Sequence, residues 1–346
     1  MKKLIVVFLV VIVAVGGGFL VGNYLKNNNK GTEHSKSTEA YQLEKGLVWG
    51  ISVNAYPTGP HNPETLERVT QEVESLGVGM VRYTFPSWSK PDPFTFTDTV
   101  MEKWKGRDFG VVLAFQPNVE YTDMKDPYKE GYDQANKLAQ RYPDIKYFQM
   151  GNEPGNSALK PSWSGSTADS YDDKKYAAVS SWLEGASNGV SAANKSAEKI
   201  ITGNWLGAAF FEKLVSDNIK FDIIGWDWFE EKDNDIIATK ADGDQMPILD
   251  RLDKIGKDIW LTESGLGGEN EKEQASYLQS LVQSAQDKKF IKAIFVGVFF
   301  DQAHLVGTTG ELDGIYSIKK NADGTFSFGS SKPAYDVFKK IISDSK

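Results

Sequence analysis

Two glutamates stand where a carboxyl could do chemistry. Glu153 lies in Gly151-Asn152-Glu153-Pro154, directly after the β-like run YFQM, and Glu263 in Thr262-Glu263-Ser264-Gly265, directly after DIWL. A single Glu at a strand end is an ordinary loop or helix-entry carboxylate, welcome beside the positive end of a helix dipole. Two of them can divide one reaction, one carboxyl kept protonated to deliver a proton and the other ionised to face developing positive charge. Whether they meet depends on the elements that carry them. A rival set has the G-x-S-x-G spacing of an esterase nucleophile: Gly185-Ala186-Ser187-Asn188-Gly189, with Asp222 and His304 coming later in the required order. That motif works only on a strand-to-helix turn. The surrounding YAAVSSWLEGASNGVSAANKSA reads as helix throughout, so small-residue packing between helices is expected instead.

From Leu47 onward short β-rich runs alternate with amphipathic helical stretches. The strand candidates are Leu47–Asn54, Met80–Phe85, Gly110–Gln116, Ile145–Gly151, Lys199–Trp205, Phe221–Trp228, Asp258–Glu263 and Phe290–Phe300. Helical spacing joins Leu66, Val69, Val73 and Leu76, with Asn62 as cap, Pro63 in the first turn and Gly77 at the close. The spacing recurs in Leu249, Leu252 and Ile255, in Leu278, Leu281, Val282 and Ala285, and in a last helix, Lys332–Ile342. Strict alternation implies a parallel sheet with helices outside. Eight units in roughly 300 residues fit a single (β/α)₈ barrel, an α/β fold, better than an open sheet. Its chemistry belongs at the C-terminal strand ends, where both glutamates fall, on the fourth and seventh strands. The longest loop, 155–173, comes after the fourth strand and is polar.

Composition narrows the function. Net charge is −8, which denies a phosphate backbone the basic field it needs, so nucleic acid is excluded as a partner. There is no Cys, which excludes thiol chemistry, disulfides and Cys-ligated metal, and with only His34, His61 and His304 a His-rich metal site or a His-paired nucleophile is hard to assemble. No metal and no organic cofactor is expected. Residues 1–25 read as a signal-anchor or signal peptide: Lys2 and Lys3 precede an apolar run from Leu4 to Val21 at about the minimum length for a bilayer span. Ala14-Val15-Gly16 offers a cleavage site, and the lysines favour export of the chain beyond the apolar run. Residues 26–45 form a polar flexible linker, and 46–346 form the barrel domain. The expectation is an exported protein, held at the cell membrane with the domain outside, or secreted if the segment is cleaved. The membrane enters only through that segment, and the domain itself is expected to be a monomer.

With its motifs so placed, the chain resembles the retaining glycoside hydrolases of clan A, of the family 5 or family 39 type. Asn152-Glu153-Pro154 matches the clan's acid/base motif, Thr262-Glu263-Ser264-Gly265 its nucleophile strand, and Arg82 in MVRYTF an arginine used near the nucleophile. The ending GIYSI and the Ser331-Lys332-Pro333-Ala334-Tyr335 run resemble the strand-eight loop and last helix of several member families. The resemblance implies Glu153 as acid/base and Glu263 as nucleophile of a retaining hydrolase. Arg82 would hold Glu263 ionised, and Asn152 would bond the hydroxyl next to the anomeric carbon. Retention goes with carboxyls about 5–5.5 Å apart, inversion with about 6.5–9.5 Å. The sequence departs from the clan at strand eight, where Gly297-Val298-Phe299-Phe300-Asp301 lacks the usual Trp and Phe299 must replace it or the platform come from elsewhere. It departs again at strand six, where Gly225-Trp226-Asp227-Trp228-Phe229 stands in place of a His or Tyr.

The aromatic share is 12%, with nine Trp. Trp104 and Trp182 fall in helical patterns and are expected to pack. Trp260, of opposite strand parity to Glu263, is expected behind the barrel wall. Trp49, Trp88, Trp163, Trp205, Trp226 and Trp228 lie on strands or strand-end loops; Trp228 and Trp88 are the foremost sugar-binding candidates, together with Asn204 at the end of the fifth strand. Glu120, Asp123, Glu230 and Glu231 read as solvated loop charges. The expected partner is an oligo- or polysaccharide, of β-linked extracellular or cell-wall type. A tethered barrel that binds glycan without cutting it, or a transglycosylase using the same residues, are the alternatives.

Overall fold

The computed structural model describes residues 47–345 except 55–62, 87, 89–93, 230–235, 242, 269, 286–287 and 306. The N-terminal segment, the linker, Asn62, Glu230 and Glu231 lie outside the described residues. Among the described residues no helix is long and apolar enough to cross a membrane.

Eight strands close into one barrel in chain order, every pair parallel. They are β1 (Val48–Asn54), β2 (Met80–Thr84), β3 (Gly110–Phe115), β4 (Tyr147–Met150), β5 (Glu198–Asn204), β6 (Ile223–Phe229), β7 (Asp258–Gly265) and β8 (Ile291–Val296). Between them run α1 (Pro63–Leu76), α2 (Thr95–Trp104), α3 (Pro127–Arg141), the one-turn α4 (Gly155–Ala158), α5 (Asp173–Ala193), α6 (Ala208–Ser216), α7 (Ile248–Asp253) and α8 (Glu271–Ala285), with α9 (Pro333–Asp344) last. The apolar stripes of the sequence face the sheet: Leu66, Val69, Val73 and Leu76 of α1 and Leu278, Leu281, Val282 and Ala285 of α8 are buried. Gly77 ends α1 at φ 74°, and its N–H bonds the Glu74 carbonyl.

Alternation along each strand sorts the side chains into two cores. Outward residues such as Ile51, Val81, Leu113, Phe148, Ile201, Ile224 and Leu261 pack under the helices. Inward residues fill the barrel's lower end, where Val112, Ile200, Ile223, Trp260, Ala293 and Phe295 form a separate cluster. Trp260 is therefore inside the barrel and not behind its wall, its ring 4.8 Å from that of Tyr147 and 5.9 Å from that of Phe295. Strand parity is broken here by a β-bulge. Leu261 pairs with Trp226 but Glu263 with Asp227, so Thr262 is an extra residue in β7. Trp260 and Glu263 thus share the inner side despite their odd spacing.

Two other features differ from expectation. The eighth strand stops at Val296, and the segment before α9 includes an antiparallel hairpin, β9 (Tyr316–Lys320) and β10 (Phe326–Ser331). Lys332, at the start of the last helix, is buried and bonds Asp301 and the Leu312 carbonyl, tying that segment to the strand-eight loop. The G-x-S-x-G run lies within α5, with no strand before it. Its glycines let α5 rest on α3: a Cβ at Gly185 would sit 2.0 Å from the Tyr128 carbonyl oxygen, and one at Gly189 2.4 Å from that of Tyr132. The Ser187 hydroxyl bonds the Lys220 carbonyl, and Asp222 receives the backbone N–H of Lys199 at the start of β5. Ser187 and Asp222 are thus each bonded to backbone groups, and the side chain of His304 lies outside the described residues.

Candidate functional site

The C-terminal mouth of the barrel is built around one buried guanidinium. Arg82 on β2 is 1% exposed, so protein groups and not water must satisfy its donors. Its Nε donates to Gln149 Oε1 at 2.6 Å, Nη1 to Ser52 Oγ at 3.3 Å and also to Glu263 Oε1, and Nη2 to Asn152 Oδ1 at 2.7 Å. Gln149 is held in turn by donating to the Gly151 carbonyl at 2.9 Å. Four strands, β1, β2, β4 and β7, are thereby fixed to one planar fork, which a lysine's point charge could not match. Glu263 Oε1 is committed to Arg82, and its side chain is 13% exposed, open to the mouth. Asn152 is exposed, and with its oxygen facing Arg82 its amide NH₂ is left to donate outward.

Glu153 is set by backbone geometry. Gly151 turns at φ 80°, a conformation open to glycine, and a Cβ there would also press on the Pro154 ring at 3.2 Å. Glu153 itself sits at φ 47°, sparsely populated for a residue with a side chain. Its N–H is held by Thr202 Oγ1 at 2.8 Å, and Asn156 Nδ2 donates to its Oε2 at 3.0 Å. Asn204 also hydrogen-bonds its carboxyl. Burial, and then the charge of Glu263, raise its pKa to about 7, while Asn204, Arg82 and Asn156 pull the other way. The two glutamates thus differ in kind. One is pinned to a cation and the other is enclosed and proton-holding.

The structure brings Glu153, Glu263, Arg82, Asn152 and Asn204 together: Arg82 bonds Glu263 and Asn152, Asn204 bonds Glu153, and the two sets interact through charge. Two aromatic expectations are corrected. Trp228 is 1% exposed and stacked on Trp205 at 5.0 Å, because it alternates with Asp227, and so it offers no face to a sugar. Phe299 is 0% exposed, stacked on Tyr316 at 5.1 Å and bordered by Phe328 of β10. The hairpin covers what was expected to be a platform. Trp88 is half-buried beside Phe85 and Phe94, its indole N–H donating to the Gln116 carbonyl at the end of β3. Trp49 and Trp226 are packing residues, as are Trp104 and Trp182; Trp163 in the loop after β4 is 48% exposed. Glu120 and Asp123 are exposed, as solvated charges should be.

Sequence reasoning missed Phe229. A side chain at Gly297 would meet Glu263 Cβ at 3.3 Å and the Phe229 ring at 3.4 Å, so ring and carboxylate stem lie over the same bare backbone. Phe229 shares its strand face with Asp227 and is only half-buried. It also missed Ser52, Gln149, Thr202 and Asp227. The available signal was a polar residue at an inward position of an otherwise apolar strand. Among the described residues no group of His, Asp and Glu has the arrangement of a metal site.

No protein-family model matches the sequence, and no curated protein matches it. Solved structures do match in fold. A β-glucosidase from Thermotoga maritima in complex with deoxynojirimycin superposes with a TM-score of 0.63 at 12% identity, covering 88% of this chain and 99% of that one. A family 1 β-glucosidase from the same organism, in complex with isofagomine lactam, gives the same TM-score and identity. A β-glucosidase from Exiguobacterium marinum also gives 0.63 at 12%, over 87% of this chain and 99% of its own. This likeness establishes the (β/α)₈ barrel. It lends no support to a specific tie with families 5 or 39.

Proposed function

We propose that the protein is a retaining glycoside hydrolase of clan A, cleaving β-linked sugars, with Glu153 as acid/base and Glu263 as nucleophile. The observation that carries this reading is the pairing of a proton-holding Glu153 with an arginine-bound Glu263 at one barrel mouth. A glycosidic oxygen leaves poorly until protonated, and the sugar develops positive charge at its anomeric carbon. Glu153, neutral up to about pH 7, gives its proton to the leaving oxygen. Glu263, held by Arg82, bonds the anomeric carbon through the oxygen that the guanidinium leaves free. The resulting carboxylate Glu153 then takes a proton from water as that water displaces Glu263. Asn152 donates to the hydroxyl beside the anomeric carbon, and Phe229 and Trp88 offer apolar surface to the rings.

The fold shared with β-glucosidases, several of them solved with sugar-like inhibitors, supports the β-linkage. The apolar N-terminal run and polar linker support an exported domain acting on extracellular or cell-wall polysaccharide. The test is release of reducing sugar from β-linked polysaccharides and aryl β-glycosides. Glu153→Gln lowers turnover of substrates with poor leaving groups by about 10²–10⁴-fold. Glu263→Ala abolishes turnover, and added azide restores part of it with an inverted glycosyl azide as product. Binding without any release, the same in both variants, would instead identify a surface lectin.

A further inference from the structure

Double displacement by Glu153 and Glu263 uses two of three carboxyls that face Arg82. The third, Asp227 on β6, is the register partner of Glu263 on β7 and of Asn204 on β5. It is 2% exposed. Its Oδ1 accepts the Thr262 hydroxyl at 2.6 Å, and its Oδ2 is buried with no partner among the described residues. Arg82 is the cation that faces it, but Arg82 directs its hydrogen bonds to Gln149, Ser52, Glu263 and Asn152. The other charged neighbours, Glu263 from β7 and Glu153 from the end of β4, are themselves acids. A carboxylate enclosed in this way without a hydrogen-bonded cation is far costlier than a neutral carboxyl. Burial first, and then the charges of Glu263 and Glu153, hold its pKa well above the usual carboxylate range.

We propose that Asp227 is a positioning residue that works as a neutral acid, carrying through the catalytic cycle a proton it never transfers. Its catalytic consequence rests on the glycosidase reading; its protonation does not. Neutral Asp227 keeps an acceptor for Thr262, the bulge residue directly before Glu263, and leaves Arg82 as counter-charge to Glu263 alone. Ionised, it would set a second negative charge on the nucleophile's register partner.

Asp227→Asn is the isosteric probe, with an amide oxygen for Thr262 and an NH₂ where the acid proton would be. Thermal unfolding is monitored from pH 5 to 8 without substrate. An acid whose native pKa is raised holds a proton that the unfolded chain releases, so stability falls as pH rises through that window. The amide cannot lose the proton, so the Tm of D227N declines less between pH 5 and 8 than that of the wild type. Parallel declines would overturn the proposal. In kinetics, Asp227→Ala lowers kcat/KM at least tenfold, whereas Asp227→Asn recovers most of that loss and leaves the alkaline limb of the pH profile, set by Glu153, where it was. An Asn variant as impaired as the Ala variant would show that the ionised form is required. Because unfolding needs no turnover, an inactive wild type would count against the glycosidase reading and leave the proton on Asp227 to be decided by the Tm slopes.

Discussion

The Arg82 guanidinium on β2 donates directly to the Glu263 carboxylate on β7, 181 residues away in the chain. The contact crosses the barrel mouth, and the remaining donors of the same fork hold Gln149, Ser52 and Asn152. One cation therefore sets both the position of the Glu263 carboxylate and the orientation of the Asn152 amide.

Arg82→Lys keeps the charge and loses the fork. A lysine reaches one or two of those acceptors, so kcat/KM is expected to fall by about 10²–10³-fold, the range for losing a preorganised donor. Arg82→Ala goes further, removing the buried guanidinium and leaving Glu263, Gln149 and Asn152 without their donor, and costs roughly 3 kcal/mol of stability. Denaturant unfolding beside steady-state kinetics separates the two effects.

In the proposed reaction Glu153 sets the pH dependence. Its proton serves leaving-group departure there, so the rate is expected to decline as pH passes about 7. The Asn204 hydrogen bond favours the charged form of Glu153. Asn204→Ala should therefore raise that pKa and move the alkaline limb of kcat/KM upward. A change in KM with an unmoved limb would mean that Asn204 serves the sugar and not Glu153.

Asp313, in the segment after β8, is a buried acid whose Oδ1 has no partner among the described residues. Burial, with a further contribution from Glu263, raises its pKa to about 7. Protonated in the native state, it adds stability at low pH that is lost as pH rises through 7. Asp313→Asn should match the wild type near pH 4 and exceed it at pH 8 by on the order of a few kcal/mol. Calorimetry at the two pH values reads this directly.

Gly185 is a packing residue and not part of a nucleophile elbow. With the Tyr128 carbonyl 2.0 Å from where its Cβ would stand, Gly185→Ala forces α3 and α5 apart. The expected cost is about 1–3 kcal/mol or more, typical of overpacking. Ser187→Ala should leave turnover of every glycoside and ester substrate as it was, since its hydroxyl serves the Lys220 carbonyl. Loss of an esterase activity in that variant would reverse the assignment.

The sequence by itself determined the barrel, the order of its strands and the strand ends that carry Glu153 and Glu263. These are local properties: hydrophobic period, caps and turn residues act within a few positions of each other, and the eightfold alternation leaves a closed parallel sheet as its most economical burial. Gly151 and the paired Asn152-Glu153 were legible for the same reason. Only the tertiary structure decided which neighbours those carboxyls have. The bulge at Thr262 reversed the parity that had put Trp260 outside and brought Asp227 opposite Glu263. Packing of the hairpin against Phe299, and of Trp205 against Trp228, removed two aromatics from the mouth and left Phe229 there. A proton's place on Glu153 or Asp227 depends on burial and on charges brought together from five strands, quantities that no single stretch of chain contains.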